Sequence, residues 1–410
     1  MSVLLIGTLD TKGAEIAHVR DRLRAAGVPV LVADAGAKGE PAFVPDIPRT
    51  AIFDPAKAGN DRGTAVALAA DGAAKLAAQL HRDGKLTGVL SLGGSAGTTI
   101  GTAAMRALPV GLPKLMVSTL ASGQVQPYVG TRDVMMMYSV VDIAGLNRVS
   151  RAVLDNAAAA MIGMHSSFVI RHTSSVPGAD RATNDGGQMT NDKPLIAATM
   201  FGVTTPCVEA ARKILEAAGY EVLVFHATGS GGRTMEGLIR DGLIAGVLDI
   251  TTTELADELA GGVLSAGPDR LTAAALRGVP QLISVGALDM VNFGPPETVP
   301  EKYKGRRFYR HNPTVTLMRT TPEEMDQLGK EVAQKASAAN SPTALMLPLN
   351  GVSAIDADGG PFWWPEADAA LFQSLRNWMA PGADVTELDL HINDPAFAEA
   401  CANKLLAMLS

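Results

Sequence analysis

The chain spells one architectural unit twice. Residues 3–34 read as strand (Val3-Leu4-Leu5-Ile6), Gly7-Thr8 turn, a helix over 15–26, Gly27, and strand (Val30-Leu31-Val32). Residues 194–226 repeat that order with Leu195-Ile196-Ala197-Ala198, a loop over 202–206, a helix over 207–218, Gly219 and Val222-Leu223-Val224-Phe225. The correspondence continues: Gly88-Val89-Leu90-Ser91-Leu92 answers Gly246-Val247-Leu248-Asp249-Ile250, and Leu115-Met116-Val117 answers Leu282-Ile283-Ser284. Short apolar strands alternating with amphipathic helices make mostly parallel sheets with helices on both faces. The chain is therefore expected to be α/β, with two tandem Rossmann-like subdomains over 1–180 and 190–410. Ligands of such sheets sit beyond the carboxyl ends of the strands, so a ligand cleft between the subdomains is expected.

Further elements fill in that plan. A Pro/Gly-rich insertion over 35–63 interrupts the first subdomain, and loops of that length are commonly functional or folded over a neighbour. A helix over 147–161 and a strand over 167–170 should close it, with the polar stretch 171–192 as linker. In the second half, the polar tract 292–310, a helix over 322–340, a strand over 343–347, a helix over 367–378 and a strand over 385–391 should extend the second sheet.

At 410 residues with 47% hydrophobic and only 19% charged residues, the chain can bury large cores. A net charge of -7 and an aromatic share of 4% disfavour nucleic-acid binding, which draws on basic surface and stacking platforms. No uninterrupted apolar run reaches the ~20 residues of a membrane helix, and no leader precedes Val3, so no membrane partner and a cytoplasmic location are expected. Cys207 and Cys401 make neither a disulfide framework nor a metal pattern. Cys207 reads as a small buried residue at a helix start.

Four loops carry candidate chemistry. Gly93, Gly94, Ser95, Gly97 and Thr98 lie between a strand and a helix, where bare backbone amides and a helix dipole can cradle an anion. The loop is neither a Walker A sequence nor a dinucleotide fingerprint, and a tight turn is the structural alternative. Gly229, Ser230, Gly231, Gly232 and Arg233 add a cation suited to phosphate or carboxylate. Thr251, Thr252 and Thr253 supply hydroxyls at the next strand end. Thr8, Asp10 and Lys12 occupy the first strand-to-helix loop, where helix capping by Asp10 or Thr11 is an equal alternative. Glu254 and Asp289 are the carboxylates placed to hold a metal ion, with Asn292 as a metal or ribose contact. His311 stands among Arg306, Arg307, Arg310 and Arg319, a local cluster able to meet an anion; His226 reads as a sheet-end histidine. Met135-Met136-Met137 reads as core or inter-domain packing.

Taken together, the segments 7–13, 93–98, 225–233, 248–254, 286–294 and 311–313 resemble the ATP-binding domain family typified by the tomato mosaic virus resistance protein. That resemblance implies two Rossmann-like subdomains, ATP with Mg²⁺ as cofactors, and a homodimer. Family members often carry a further barrel domain, so an activity supplied by such a barrel would come here from a separate protein. The reading that follows is an ATP-binding protein with its phosphates near Gly229 to Arg233 and Thr251 to Thr253, and with the 93–99 loop facing a second ligand or the other end of the nucleotide. As an enzyme it would act on a small organic acid or phosphorylated metabolite as second ligand. Two alternatives stand beside it: a nucleotide-gated sensor or interaction module, and a metabolite enzyme that binds a substrate phosphate without ATP.

Overall fold

A computed structural model describes residues 1–37, 39–58, 61–123, 125–173 and 193–410. The chain divides into two compact units, one within residues 1–186 and one within 187–410.

The first unit runs β1 (Ser2–Gly7), α1 (Leu9–Ala25), β2 (Val30–Asp34), α2 (Arg62–Arg82), β3 (Leu86–Gly93), α3 (Ser95–Arg106), β4 (Lys114–Ser118), a short α4 (Gln126–Val129), β5 (Met135–Tyr138) and α5 (Arg148–Thr173). Its five strands are all parallel in the order β2-β1-β3-β4-β5. Parallel strands covered on both faces read as near-continuous apolar runs, and all eight residues of β3 are buried, the hydroxyl residues Thr87 and Ser91 among them. Alternation sends Leu4 and Ile6 to a core shared with α2 and α3, and Val3 and Leu5 to one shared with α1 and α5.

The second unit runs β6 (Leu195–Met200), α6 (Thr205–Ala217), β7 (Glu221–His226), α7 (Ser230–Arg240), β8 (Gly246–Thr251), α8 (Glu254–Ala260), α9 (Ala273–Arg277) and β9 (Gln281–Gly286). It continues with β10 (Met290–Phe293), β11 (Phe308–Asn312), β12 (Val315–Arg319), α10 (Pro322–Ser337), β13 (Thr343–Pro348), α11 (Pro365–Trp378), β14 (Asp384–Leu388) and α12 (Pro395–Leu409). Its parallel sheet has the order β14-β13-β9-β8-β6-β7, the order of the first unit with one strand added. α/β architecture with two parallel, helix-flanked sheets is thus as the sequence reads.

Three local expectations are corrected. Residues 167–170 are not a strand: α5 continues unbroken to Thr173. Leu154, Met161 and Phe168, seven apart, are all buried on one side of it, so helical packing outweighs the strand propensity of Phe-Val-Ile. Most of the expected linker, 174–192, lies outside the described residues. The tract 292–310 does not extend the large sheet but builds a separate antiparallel one, β10-β12-β11, while β13 and β14 do extend it. The Met triplet departs from core packing at Met135 alone, which stands 47% exposed on an edge strand, while Met136 and Met137 pack half-buried against the two cores of the unit. Among the described residues, Arg148–His172 is long and apolar enough to cross a membrane by length and composition alone; it packs on α1, β3 and β4.

The insertion after β2 folds back over its own unit. Ile47 exchanges backbone hydrogen bonds with Val32 and Asp34, Arg49 reaches Asp34, and Ile52 and Phe53 are buried. Here α2 comes so close that a Cβ on Gly72 would stand 1.8 Å from the Ile52 carbonyl oxygen. Gly72→Ala should therefore destabilise the protein by ~2 kcal/mol or more, against the ~1 kcal/mol gain that helix propensity assigns to the change. Urea unfolding of the two proteins checks the sign.

Candidate functional site

In a sheet of order 2-1-3-4-5 the chain winds away in opposite directions from β1 and β3, and the crevice between their carboxyl ends is where ligands bind. The loops that flank it here are 8–12 and 93–99. Thr8 and Thr11 share a hydroxyl hydrogen bond of 2.7 Å. Lys12, whose φ of -130 breaks the helical run, sends its ammonium to the Ile143 carbonyl. Asp10 accepts from the Gly39 amide at 3.2 Å. The first amide of α1, that of Leu9, is met at 3.0 Å by buried Asp34, which also accepts from Gly36 and Arg49 at 2.8 and 2.9 Å. The helix after β1 thus carries an internal anion at its N-terminus.

The helix after β3 does not. α3 starts at the cap residue Gly94 with no side-chain cap and no acidic residue in its first turn. Thr98 is buried, donating to the Gly94 carbonyl at 2.8 Å and sharing a hydrogen bond with Ser118 at 2.7 Å, whereas Ser95 is exposed. The glycines have different reasons. A Cβ on Gly93 would come 2.8 Å from Gly97 Cα, and one on Gly97 3.2 Å from the Leu92 carbonyl oxygen. A Cβ on Gly94 would meet only Thr119 Oγ1 at 3.7 Å, and Gly94 has an ordinary φ of -79. Packing inside the unit therefore accounts for Gly93 and Gly97 but makes no demand on Gly94.

In the second unit the equivalent crevice, between β6 and β8, is filled by the protein itself. Thr251 Oγ1 bridges to Thr204 Oγ1 at 2.8 Å, Thr252 donates to the Ser284 carbonyl at 3.1 Å and Thr253 to that of Met290 at 3.3 Å. All three threonines are fully buried. Their hydroxyls serve the fold.

The glycine-rich loop before α7 wraps a carboxylate. Glu254 Oε1 accepts from the amides of Gly229 and Gly232 at 2.7 and 3.0 Å, and its Oε2 from Arg270 Nε at 2.7 Å. Arg270, fully buried, also binds Asp249 through both terminal nitrogens, at 2.5 and 2.7 Å, and lies 3.6 Å from Glu236. Glu236 in turn caps the next turn of chain, accepting from the amides of Leu271 and Ala273 at 2.7 and 2.8 Å. Burial opposes the charge on Arg270, but Asp249 and then the two glutamates hold its pKa well above the ordinary value. Each glycine is spoken for: Gly229 has φ +79, a Cβ on Gly231 would stand 1.9 Å from the His226 carbonyl oxygen, and one on Gly232 2.1 Å from Glu254. Ser230 and Arg233 remain exposed, Arg233 reaching the Ser265 carbonyl at 3.2 Å.

Asp289 is also buried, accepting from Ser353 Oγ at 2.8 Å through Oδ2, while Oδ1 has no hydrogen-bond partner among the described residues. It faces a network absent from the sequence reading: Arg319 donates to Asp368 at 2.7 Å, to Asp356 at 3.4 Å and to the Phe362 carbonyl at 2.8 Å. Burial, then the charge of Asp356, pushes Asp289 up to about 8; the same two causes push Asp368 up to about 7. These residues come from two loops, the end of β12 and the start of α11, so no spacing signals them. Asn292 is buried and donates to Asp257 at 2.7 Å. Among the described residues no group of three or more His, Cys, Asp or Glu is arranged to hold a metal ion. The arginine cluster disperses: Arg306 pairs with Glu324 at 2.6 Å, Arg319 is buried, and Arg310 and His311 lie exposed on β11. His226 stacks on Phe201 at 5.3 Å. Burial pushes the Cys207 thiol up to about 12, which leaves it unreactive.

Models of the uncharacterised protein family UPF0261 match the chain in two parts, the N-terminal domain over residues 1–169 and the C-terminal domain over 193–409. The chain belongs to family UPF0261. A UPF0261 protein of Clostridium tetani is 49% identical over 416 residues, covering 99% of this chain and 98% of that protein. One from Rhizobium meliloti is 48% identical over 97% of this chain and 96% of the other. The ToMV resistance protein Tm-1(GCR237) of Solanum lycopersicum is 44% identical over 347 residues. That match covers 84% of this chain but 44% of the tomato protein, so this UPF0261 chain spans less than half of that relative. Among solved structures, the glycosyltransferase SnogD from Streptomyces nogalater aligns over 100% of this chain and 99% of that one, at 13% identity and a TM-score of 0.20, too low to bear on function.

Two outcomes test this geometry. Glu254→Ala leaves two amides and a buried guanidinium without their acceptor and should cost ~3–5 kcal/mol; formate should raise the melting temperature of the variant and leave that of the wild type unchanged. Asp289, with a folded pKa of about 8 against ~3.9 when unfolded, keeps its proton in the fold and loses it in the unfolded chain. Its contribution is complete below pH ~4 and is lost as pH rises to about 8, by up to ~1.4 kcal/mol per unit. Asp289→Asn should thus gain on the wild type between pH 5 and pH 8 by roughly that slope, as denaturant titrations at the two pH values would show.

Proposed function

We propose that this UPF0261 protein binds ATP, with the phosphates at the N-terminus of α3. One observation carries the reading: of the two glycine-rich loops, the one after β3 opens a helix with neither a side-chain cap nor an acidic first turn, while the one before α7 is neutralised by Glu254. A helix N-terminus whose amides lack an internal anion attracts an external one, and phosphate is the common case. The loop also borders the β1/β3 crevice, across which Thr8 and Lys12 lie. ATP is the member of that ligand class that the family resemblance implies. Mg²⁺ would arrive with the phosphates, keeping waters in its remaining positions. In this reading Glu254 and Asp289 are structural, and Gly229 to Arg233 serve the fold.

The test is a single carboxylate. Gly94→Asp introduces a preferred N-cap where a Cβ has room, so the variant should fold and melt no lower than the wild type. It also sets a negative charge where the phosphates would lie and should weaken ATP at least tenfold, ~1.4 kcal/mol, in calorimetric titration. ATP binding unchanged by Gly94→Asp would overturn this placement. Adenosine and ribose 5-phosphate as parallel titrants separate a nucleotide site from one for a simple phosphorylated metabolite: retention of ribose 5-phosphate with no preference for ATP would favour the latter.

A further inference from the structure

We infer that Tyr138 is the platform on which the base of the nucleotide stacks, and hence the residue that separates a nucleotide from a bare phosphate at this site. The inference rests on the ATP reading above and fixes the direction in which the ligand leaves the start of α3.

Strand register sets the geometry. Across the carboxyl ends of the first sheet, Gly93 of β3 pairs with Ser118 of β4, and Ser118 with Tyr138 of β5. Residues paired in a parallel ladder turn their side chains to the same face. Ser118 identifies that face, because its hydroxyl meets Thr98, in the first turn of α3, at 2.7 Å. Met136, two residues before Tyr138, packs in the core shared with α2 and α3, while Met137 packs in the opposite one. Tyr138 therefore lies on the α3 side of the sheet, at the level where α3 begins, two strands and ~10 Å from Gly93. The ribose and phosphates of a nucleotide fill a span of that order.

The side chains along this row suit such a ligand. Ser118 is small, and its hydroxyl is already engaged by Thr98 and by the Leu120 amide at 3.0 Å. Thr119 Oγ1 stands 3.7 Å from where a Cβ on Gly94 would be, a hydroxyl able to serve the sugar. Tyr138 is 43% exposed. The other aromatic side chains described in this unit are covered: Phe53 and Phe168 are buried, Tyr128 is half-buried, and Phe43 lies beneath the Arg20 guanidinium at 4.5 Å. A base has a π-face that stacks on such a ring, whereas inorganic phosphate or a sugar phosphate has none. The other direction is closed to a base. There the loops after β1 and β2 meet, with Asp10 Oδ1 only 2.6 Å from where a Cβ on Gly36 would be, and they bring the carboxylates of Asp10 and Asp34.

Calorimetric titration of the full chain with ATP and, in parallel, with inorganic triphosphate tests this. Wild type should prefer ATP. Tyr138→Ala should weaken ATP about tenfold, within the range that base stacking spans, and leave triphosphate unchanged. Tyr138→Phe, which keeps the ring, should bind both as the wild type does. Thermal melting establishes that each variant folds, and Tyr138→Leu takes the place of Tyr138→Ala should that one unfold. Gly94→Asp reports on the phosphates separately, since it should weaken both ligands. ATP affinity unchanged in the folded Tyr138 variant, or triphosphate lost along with ATP, would overturn the inference; if Gly94→Asp still weakened both ligands, the phosphates would stay at α3 and only the base would move elsewhere. Loss of ATP in Tyr138→Ala with none in Gly94→Asp would instead keep the base at Tyr138 and overturn the phosphate placement. A wild type that binds neither ligand would overturn both.

Discussion

Arg270 is the group around which the second unit is arranged. A guanidinium with no exposure to water has to be repaid for its lost hydration, and here Asp249 from β8, Glu254 from α8 and Glu236 from α7 surround it. One cation does not balance three carboxylates. The remaining negative charge is met by main-chain amides: those of Gly229 and Gly232 at the start of α7, and those of Leu271 and Ala273 at the start of α9. Helix N-termini carry partial positive charge, so the network closes electrostatically with backbone dipoles as its outer layer. In doing so it ties β8, α7, α8 and α9 to one another at fixed distances.

The same fold in the first unit solves the helix-end problem differently. Asp34 plays the part of Glu254 for α1, accepting from Leu9 and Gly36 and held by Arg49. α2 begins with Asp61 capping Thr64. α3 has neither device, and it is the helix that opens beside the β1/β3 crevice. Two units of one winding therefore differ at the helix after their third strand, α8 carrying Glu254 and Asp257 in its first turn and α3 no acidic residue.

Much of the fold was legible because parallel strands buried on both faces are near-continuous apolar runs, as Val89 to Leu92 and Leu345 to Leu347 are apart from Ser91. The winding of both sheets follows from that repetition. Residues 167–170 misled because a short Phe-Val-Ile run reads alike in strand and helix; what decides it is the burial of Phe168 seven residues after Met161, a tertiary fact. The glycine-rich loops were found, but their meaning was not readable. Gly231 and Gly94 look equivalent in a sequence, whereas a Cβ on one would clash with a carbonyl oxygen and a Cβ on the other would make only ordinary contact with Thr119 Oγ1. Arg270 gave no signal at all: it stands in a turn, far along the chain from the carboxylates it binds, as Arg319 does from Asp356 and Asp368.

The account turns on which helix end is left for an external anion. The most direct measurement is a crystal structure of the protein soaked with a slowly hydrolysed ATP analogue. The account predicts phosphate density against the amides at the start of α3, with Glu254 still bound to Gly229, Gly232 and Arg270. Phosphate density over Gly229 to Arg233, with the Glu254 carboxylate displaced, would contradict it.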